Sequence, residues 1–321
     1  MMESYEHWRI RSVAYTSRVW LERLFDMLVL SCVVVLPAGL LFALYQATSS
    51  TTLGVVAGLI VAAGGALGVY ARLIEPFVLR VKHIQIRAAG AASNAKPFKI
   101  AFFSDIHVGW LKQRDWVRKV VNLVNAQQPD IVLMGGDFVS NVDPTLVPGM
   151  LAPLRQIKAR LGVYAVFGNH DYGLPGLDFT AQLETIFQEN NVRLLRDECV
   201  TLDGRLQLIG IDELWSHRAD IPAAFGACGD RNLPRVVLGH NPDLMAHITQ
   251  NAELFLFGHT HGGQIYIPGL MKQIVPVEGA LYRGEYRLPQ GLVYVSNGCG
   301  ETTTPTRFGT RVEVVAVTLY C

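Results

Sequence analysis

Hydrophobic and polar positions divide the chain into two unlike regions. From Met27 to Ala71 no Asp, Glu, Lys, Arg or His interrupts the sequence, and the stretch breaks only at the polar patch Gln46-Ala47-Thr48-Ser49-Ser50-Thr51-Thr52. Each half is long enough to cross a bilayer as a helix, because about 20 residues rising roughly 1.5 Å each span a hydrocarbon core of about 30 Å. Two such spans joined by a short turn predict a helical hairpin over residues 26–74, after an N-terminal segment over 1–25. Pro37 is tolerable in a membrane helix. Gly54, Gly58, Gly64, Gly65 and Gly68 suit the second span to close packing against a partner helix, expected to be the first. A buried helical pair in a soluble domain, or a cleaved signal peptide over the first run, competes with this reading. The length of the runs opposes the former and the long charged region before them the latter.

From Phe98 onward the pattern changes to short β-rich runs that end in polar clusters. Lys99–Phe103 runs into Ser104-Asp-Ile-His107, Ile131–Met134 into Gly135-Gly-Asp137, and Gly162–Phe167 into Gly168-Asn-His-Asp171. Arg235–Leu238 runs into Gly239-His240, and Leu254–Phe257 into Gly258-His-Thr-His261. Continuous apolar runs of this length predict strands covered on both faces, and an open α/β sheet binds ligands outside the carboxyl ends of its strands. Between the runs, residues 115–126 place Trp116, Val117, Val120, Val121 and Val124 on one helical face, and residues 179–189 predict a second helix. Leu206–Ile211, Leu292–Val295 and Val312–Leu319 read as further strands. The small, polar residues 88–97 fall in a linker over 75–97, so the α/β domain is expected over 98–321.

Half of the 321 residues are hydrophobic and 17% are charged, against about 25% charged in ordinary soluble domains; the apolar segment accounts for the difference. A net charge of +1 supplies no bulk field for nucleic acid, and no such partner is expected. Arg9, Arg11, Arg18 and Arg23 precede the apolar segment, Arg72, Arg80, Lys82 and Arg87 follow it, and the turn carries no charge. The positive-inside rule then places both flanks, and the α/β domain with them, in the cytoplasm. Cys32, Cys199, Cys228, Cys299 and Cys321 are odd in number and show no C-x-x-C spacing, so no disulfide framework is expected, in keeping with a reducing compartment.

Five of the nine histidines stand directly after an apolar run, as do Asp105, Asp137 and Asn169. Carboxylate, imidazole and amide oxygen form the ligand set of divalent ions such as Mn²⁺, Fe and Zn²⁺. One Asp-x-His is a weak signal; five clusters in series, each at a strand end, are a strong one. His7, His83, His217 and His247 lie outside the clusters and read as surface or packing residues. Asp171 is open between a residue that orients a liganding histidine and a helix cap.

The series Asp105-x-His107, Gly136-Asp137, Gly168-Asn169-His170-Asp171, Gly239-His240 and Gly258-His259-x-His261 resembles the calcineurin-like metallophosphoesterase superfamily over about residues 98–318. The resemblance implies a four-layer α/β/β/α sandwich with two divalent ions at the sheet edge, manganese first and iron or zinc as alternatives. It implies that Asp105, His107 and His261 hold one ion, that Asn169, His240 and His259 hold the other, and that Asp137 bridges them. His170 would meet the phosphate or leaving group as the catalytic acid. The strings Gly258-His-Thr-His-Gly-Gly-Gln264 and Ser296-Asn-Gly-Cys-Gly300 resemble a membrane-linked bacterial subgroup of phosphodiesterases and UDP-2,3-diacylglucosamine hydrolases of lipid A biosynthesis, although Asn297 stands where such proteins often carry Arg.

An enzyme tethered to the inner membrane meets membrane lipids at high effective concentration, which favours a lipid-linked phosphoester. A tethered phosphodiesterase or phosphatase for soluble nucleotides is the second reading. A non-catalytic metal-dependent scaffold is the third, opposed by the presence of every motif residue including His170. Trp110, Leu111 and Trp116, Leu214 and Trp215, and Met271 to Leu281 are candidate walls for an acyl groove, or ordinary core.

Overall fold

The computed structural model describes residues 38–40, 42–43, 45–46, 51–140, 142–229, 232–266, 275, 277–302 and 306–321. These form two compact units, one running to Phe77 and including Arg307, the other comprising Val78–Thr302 and Phe308–Cys321.

In the first unit, α1 (Thr51–Val69) continues through a π turn at Tyr70–Ile74 and a 3₁₀ turn at Glu75–Phe77. Gly54–Phe77, 24 residues with mean hydropathy 1.9, is long and apolar enough to cross a membrane, and Leu59, Ile60 and Leu73 stand exposed on it. A helix that is apolar on all sides and little covered by the described residues suits lipid surroundings. The helical residues before it bring the Tyr45 ring against Gly54, where a Cβ would come within 2.5 Å. Most of the first expected span and the turn at 47–50 lie outside the described residues; the described chain carries one apolar helix of this length, and the expected hairpin is not established by it.

In the second unit two six-stranded sheets face each other. The first has the order β1 (Arg80–Arg87), β12 (Glu313–Tyr320), β2 (Pro97–Phe103), β3 (Ile131–Gly135), β4 (Val163–Val166), β5 (Val192–Leu194). The second has the order β10 (Gly284–Leu288), β11 (Gly291–Val295), β9 (Leu254–Phe257), β8 (Arg235–Leu238), β7 (Leu206–Gly210), β6 (Glu198–Leu202). The strands that precede the polar clusters are neighbours and parallel: β2, β3 and β4 in one sheet, β8 and β9 in the other.

Alternation along these strands explains why they read as unbroken apolar runs. Ile100, Phe102 and Leu133 point between the sheets, where they meet Leu208, Leu238, Leu256 and Tyr294. Ala101, Phe103 and Met134 point outward onto α2 (Arg114–Ala126) and α4 (Thr180–Glu189), with α3 (Val147–Leu151) beside them. Val117, Val120, Val121 and Val124 of α2 are fully buried there, the face that its periodicity predicts. On the far side, Ile209, Val237, Phe255 and Phe257 pack under α5 (Ile221–Gly226) and the 3₁₀ segment Pro242–Ala246. Helices, sheet, sheet and helices form the four layers.

Two expectations change. Residues 80–87 lie within the stretch read as linker, yet they form β1, parallel to β12 in register Arg80↔Glu313 to Arg87↔Tyr320. The basic residues that resemble a membrane flank also serve this edge: Arg80 pairs with Glu313 at 2.7 Å and Lys82 with Glu285 at 2.9 Å. Cys199 and Cys228, expected as free thiols, are joined in a disulfide. They are 29 residues apart, with no paired spacing to announce them, and tertiary packing of β6 beside the end of α5 brings their Cα atoms to 5.2 Å. Cys299 and Cys321 are not part of a disulfide among the described residues.

Leu208 is fully buried between the sheets. Leu208→Ala is expected to lower the unfolding free energy by roughly 2 to 5 kcal/mol, the usual cost of such a cavity, as read from the urea midpoint of the purified chain.

Candidate metal centre

The five polar clusters converge at the carboxyl ends of β2, β3, β4, β8 and β9. The chain must turn within one or two residues of each strand, and Asp105, His107, Asp137, His259 and His261 all take left-handed backbone, with φ of 50°, 44°, 56°, 69° and 53°. Such a conformation costs about 1 kcal/mol or more for a residue with a Cβ, and it persists only where the surroundings fix it. Here the loops fix one another. Asp105 N–H donates to Gly136 O at 2.9 Å, His107 N–H to Asp137 O at 3.1 Å, and His259 N–H to Asp105 Oδ1 at 2.8 Å. Gly168 and Gly258 permit the approach: a Cβ on the first would lie 2.2 Å from Asp137 Oδ1, and one on the second 2.3 Å from Asp105 Oδ2.

Asp137 sits in the middle and is buried. Its Oδ2 lies 3.4 Å from His107 Nε2 and 3.2 Å from His240 Nε2, while Oδ1 accepts the His170 backbone N–H at 2.9 Å. Asp171 caps no helix; its carboxylate accepts from the backbone N–H groups of Asp137, Phe138 and Gly168 at 2.8 to 2.9 Å. It therefore sets the turn that aims Asp137.

Hydrogen bonds select which nitrogen each imidazole turns inward. Nδ1 of His107, His240 and His261 faces the carbonyl oxygens of Val139, Gly135 and Gly300 at 3.3, 2.7 and 3.1 Å. A carbonyl only accepts, so each Nδ1 carries a proton and each Nε2 is the nitrogen left to face the centre. The Asn169 amide donates to Leu174 O, which turns its Oδ1 inward, 2.9 Å from His259 Nδ1 and 3.2 Å from His240 Nε2.

The result is a collection of acceptors facing one another. His107 Nε2 and His261 Nε2 are 3.1 Å apart, and Asp105 Oδ2 is buried with no hydrogen-bond partner among the described residues. Atoms that become lone-pair donors once their protons leave, gathered with carboxylates, are what a cation requires. Two groupings stand out, Asp105 with His107 and His261, and Asp137 with His240 and His259; His170 also lies close to His107 and Asp137.

Ionisation shows the same surplus of negative charge. Burial disfavours a charged imidazole at His240, but Asp137 outweighs it and pushes His240 up to about 10; His107 is raised by the same contest. Burial also pushes the Asp137 carboxyl up, yet His240 and His170 hold it well below the ordinary carboxylate range. Burial, with Asp137 adding to it, pushes Asp171 up to about 7, and burial raises Asp105.

All eight sequence-predicted residues are brought together. Of the four other histidines, His83 lies on β1, His217 and His247 are exposed, and His7 is outside the described residues. Sequence reasoning left two participants undecided. Asp171 is one; its adjacency to Asn169 and His170 was the only signal. Trp215 is the other, and its ring meets His259 edge-on with centroids 4.4 Å apart. Nothing in its local sequence separates it from core.

A family model, calcineurin-like phosphoesterase, matches residues 98–263. An uncharacterized metallophosphoesterase, YkuE of Bacillus subtilis, is 31% identical over 264 residues, covering 80% of this chain and 91% of that protein. Phosphodiesterase YaeI of Escherichia coli is 29% identical over 244 residues, covering 74% of this chain and 87% of that one. A transmembrane protein with metallophosphoesterase domain from Danio rerio is 27% identical over 262 residues, or 75% of this chain and 57% of its own length. With more than half its length matched by the family model, the chain belongs to the calcineurin-like phosphoesterases.

Proposed function

We propose that the chain is a membrane-attached phosphodiesterase that uses two divalent cations, manganese first, on a lipid-linked phosphodiester or diphosphate. One observation carries the metal reading: Asp137 Oδ2 lies within 3.4 Å of inward-facing nitrogens from both halves of the site. Asp105, His107 and His261 would hold one cation, Asn169, His240 and His259 the other, and Asp137 both. When bound, such a pair supplies charge neutralisation at the phosphoryl oxygens and a water acidified toward neutral pH.

The chain's own groups do the rest. The carbonyls of Val139, Gly135 and Gly300 keep the imidazoles in one tautomer, and Asp171 holds the turn of Asp137. His170 is half-buried, meets the His107 ring edge-on at 4.8 Å, and is tied to Asp137 through its backbone. It is the catalytic acid in this reading, giving its proton to the departing ester oxygen.

The apolar helix supports a substrate at the membrane, because tethering raises encounter with lipid and adds nothing for a freely diffusing nucleotide. The charged flanks favour the cytoplasmic face of a bacterial inner membrane and UDP-2,3-diacylglucosamine as the first lipid to test. The Cys199–Cys228 disulfide favours a second reading, since such bonds persist in oxidising compartments. There the substrate would be a phosphodiester lipid of the outer leaflet.

Chelation and desalting are expected to abolish hydrolysis of bis-p-nitrophenyl phosphate, with activity returning on addition of Mn²⁺. By elemental analysis Asp137→Ala should lose both cations and Asp105→Ala chiefly one; full activity of the stripped protein sinks the two-metal assignment. His170→Ala should keep its metal and lose about 10²- to 10⁴-fold in kcat, less for esters with good leaving groups. A missing cation in that variant makes His170 a ligand instead. Rapid alkylation of intact cells followed by peptide mass analysis decides the compartment: a Cys199–Cys228 pair that resists alkylation places the domain on the oxidising side, and two alkylated thiols place it in the cytoplasm.

A further inference from the structure

A cavity of about 720 Å³ opens beside the metal centre, within the range of small-ligand sites, roughly 300 to 1,000 Å³. Two loops frame it, one touching the site and one carrying a site residue. One follows β7 and bears Leu214 and Trp215; the other follows His240 directly and bears Pro242 and Met245, with Leu281 closing a third side. Trp215 is the shared wall, its edge on His259 and 40% of its surface exposed. A phosphoester held at the metal centre would have an ester arm close to this indole, given its contact with His259.

The walls select the chemistry of that arm. Of the polar side chains lining the cavity, Asp243 is already committed: its two oxygens accept the backbone N–H groups of Glu278 at 2.9 Å and Gly279 at 3.0 Å. These bonds hold it to the loop that carries Glu278 and Gly279. His217, His247 and Glu278 are exposed, and the other side chains that line the interior are aliphatic, aromatic and thioether. Such a surface rewards methylene groups, each contributing about 0.8 kcal/mol when removed from water.

We propose that this cavity is the subsite for an alkyl or acyl arm of the scissile phosphodiester, with Trp215 as the wall that joins it to the metal centre. The proposal rests on the phosphodiesterase reading above and specifies which side of the site accepts the apolar group.

The test uses the full chain in lipid nanodiscs with Mn²⁺, and three chromogenic diesters: methyl, hexyl and thymidine-5′ p-nitrophenyl phosphate. The hexyl ester is expected to exceed the methyl ester in kcat/KM by at least about tenfold, from five added methylenes. Ala246→Phe, which fills the cavity from its exposed rim, should bring that ratio to within about threefold of one. A wild-type ratio near one, a ratio untouched by Ala246→Phe, or a preference for the thymidine ester over the hexyl ester overturns the proposal. Binding supplies a readout free of turnover. Tryptophan fluorescence titrations should show hexylphosphonate binding about tenfold tighter than methylphosphonate in the wild type and not in Ala246→Phe. If no diester is hydrolysed while that difference in binding holds, the phosphodiesterase reading fails and the subsite stands; hydrolysis without any chain-length effect in either measurement leaves the reverse.

Discussion

Asp137 places a negative charge where five strands end, and much of the domain's local structure serves to keep it there. Three buried carboxylates, Asp105, Asp137 and Asp171, share a small volume, and like charges removed from water are costly unless positive charge is brought to them. Asp171 relieves its share by accepting three backbone N–H groups. Asp137 and Asp105 have no Lys or Arg partner among the ion pairs of the described residues; imidazoles face them instead. Imidazole can answer in two ways, by taking a proton or by sharing a lone pair with a cation. The raised His240 and His107 are the first answer, and the inward-facing Nε2 atoms are preparation for the second.

That preparation depends on rigid support. A ligand set works when its members are held within a fraction of an ångström, which side chains on strand ends achieve more readily than side chains on long loops. The five left-handed residues are the local cost of turning immediately after a strand, and the interloop hydrogen bonds among Asp105, Gly136, Asp137, His107 and His259 offset it. Gly168 and Gly258 lie where any side chain would displace the carboxylates themselves. Strain, close approach and chemistry therefore coincide, because each follows from bringing two sheets' strand ends to one point.

The parts of this arrangement that were legible in the sequence are those covered on both faces. β3, β9 and the parts of β2 and β8 beyond Lys99 and Arg235 bury alternate residues in different cores, so no polar position interrupts them, and the ligands follow at once. Edge elements leave weaker traces. β1 buries Ile84 alone and spends its other positions on Arg80, Lys82 and Gln85, a pattern shared with a membrane flank. β10 alternates Glu285 and Arg287 with half-buried neighbours, and β5 is three residues long. The Cys199–Cys228 bond and the contact of Trp215 with His259 join residues distant in sequence, and no local pattern encodes such meetings. Asn297, a departure from the resembled subgroup, packs its Oδ1 where a Cβ on Gly262 would fall, directly beneath the turn that carries His261.

The loop that carries Trp215 is braced along its length, and this bears on how the site discriminates. Its start is fixed by β7, paired on both edges, and by Asp212, whose carboxylate accepts from Tyr172 Oη and whose N–H donates to Asp197. Its middle is fixed where Ser216 N–H donates to the buried Glu213 carboxylate. Its end runs into α5, capped by Asp220, and then into Cys228, bonded to the edge strand β6. A wall held this way does not need its occupant in order to take shape, so ordering costs that would otherwise be charged against binding are already met in folding. Discrimination at Trp215 then depends on the fit of the arriving group rather than on closure around it, and the disulfide, remote from the ligands in sequence, belongs to the framework that positions that wall.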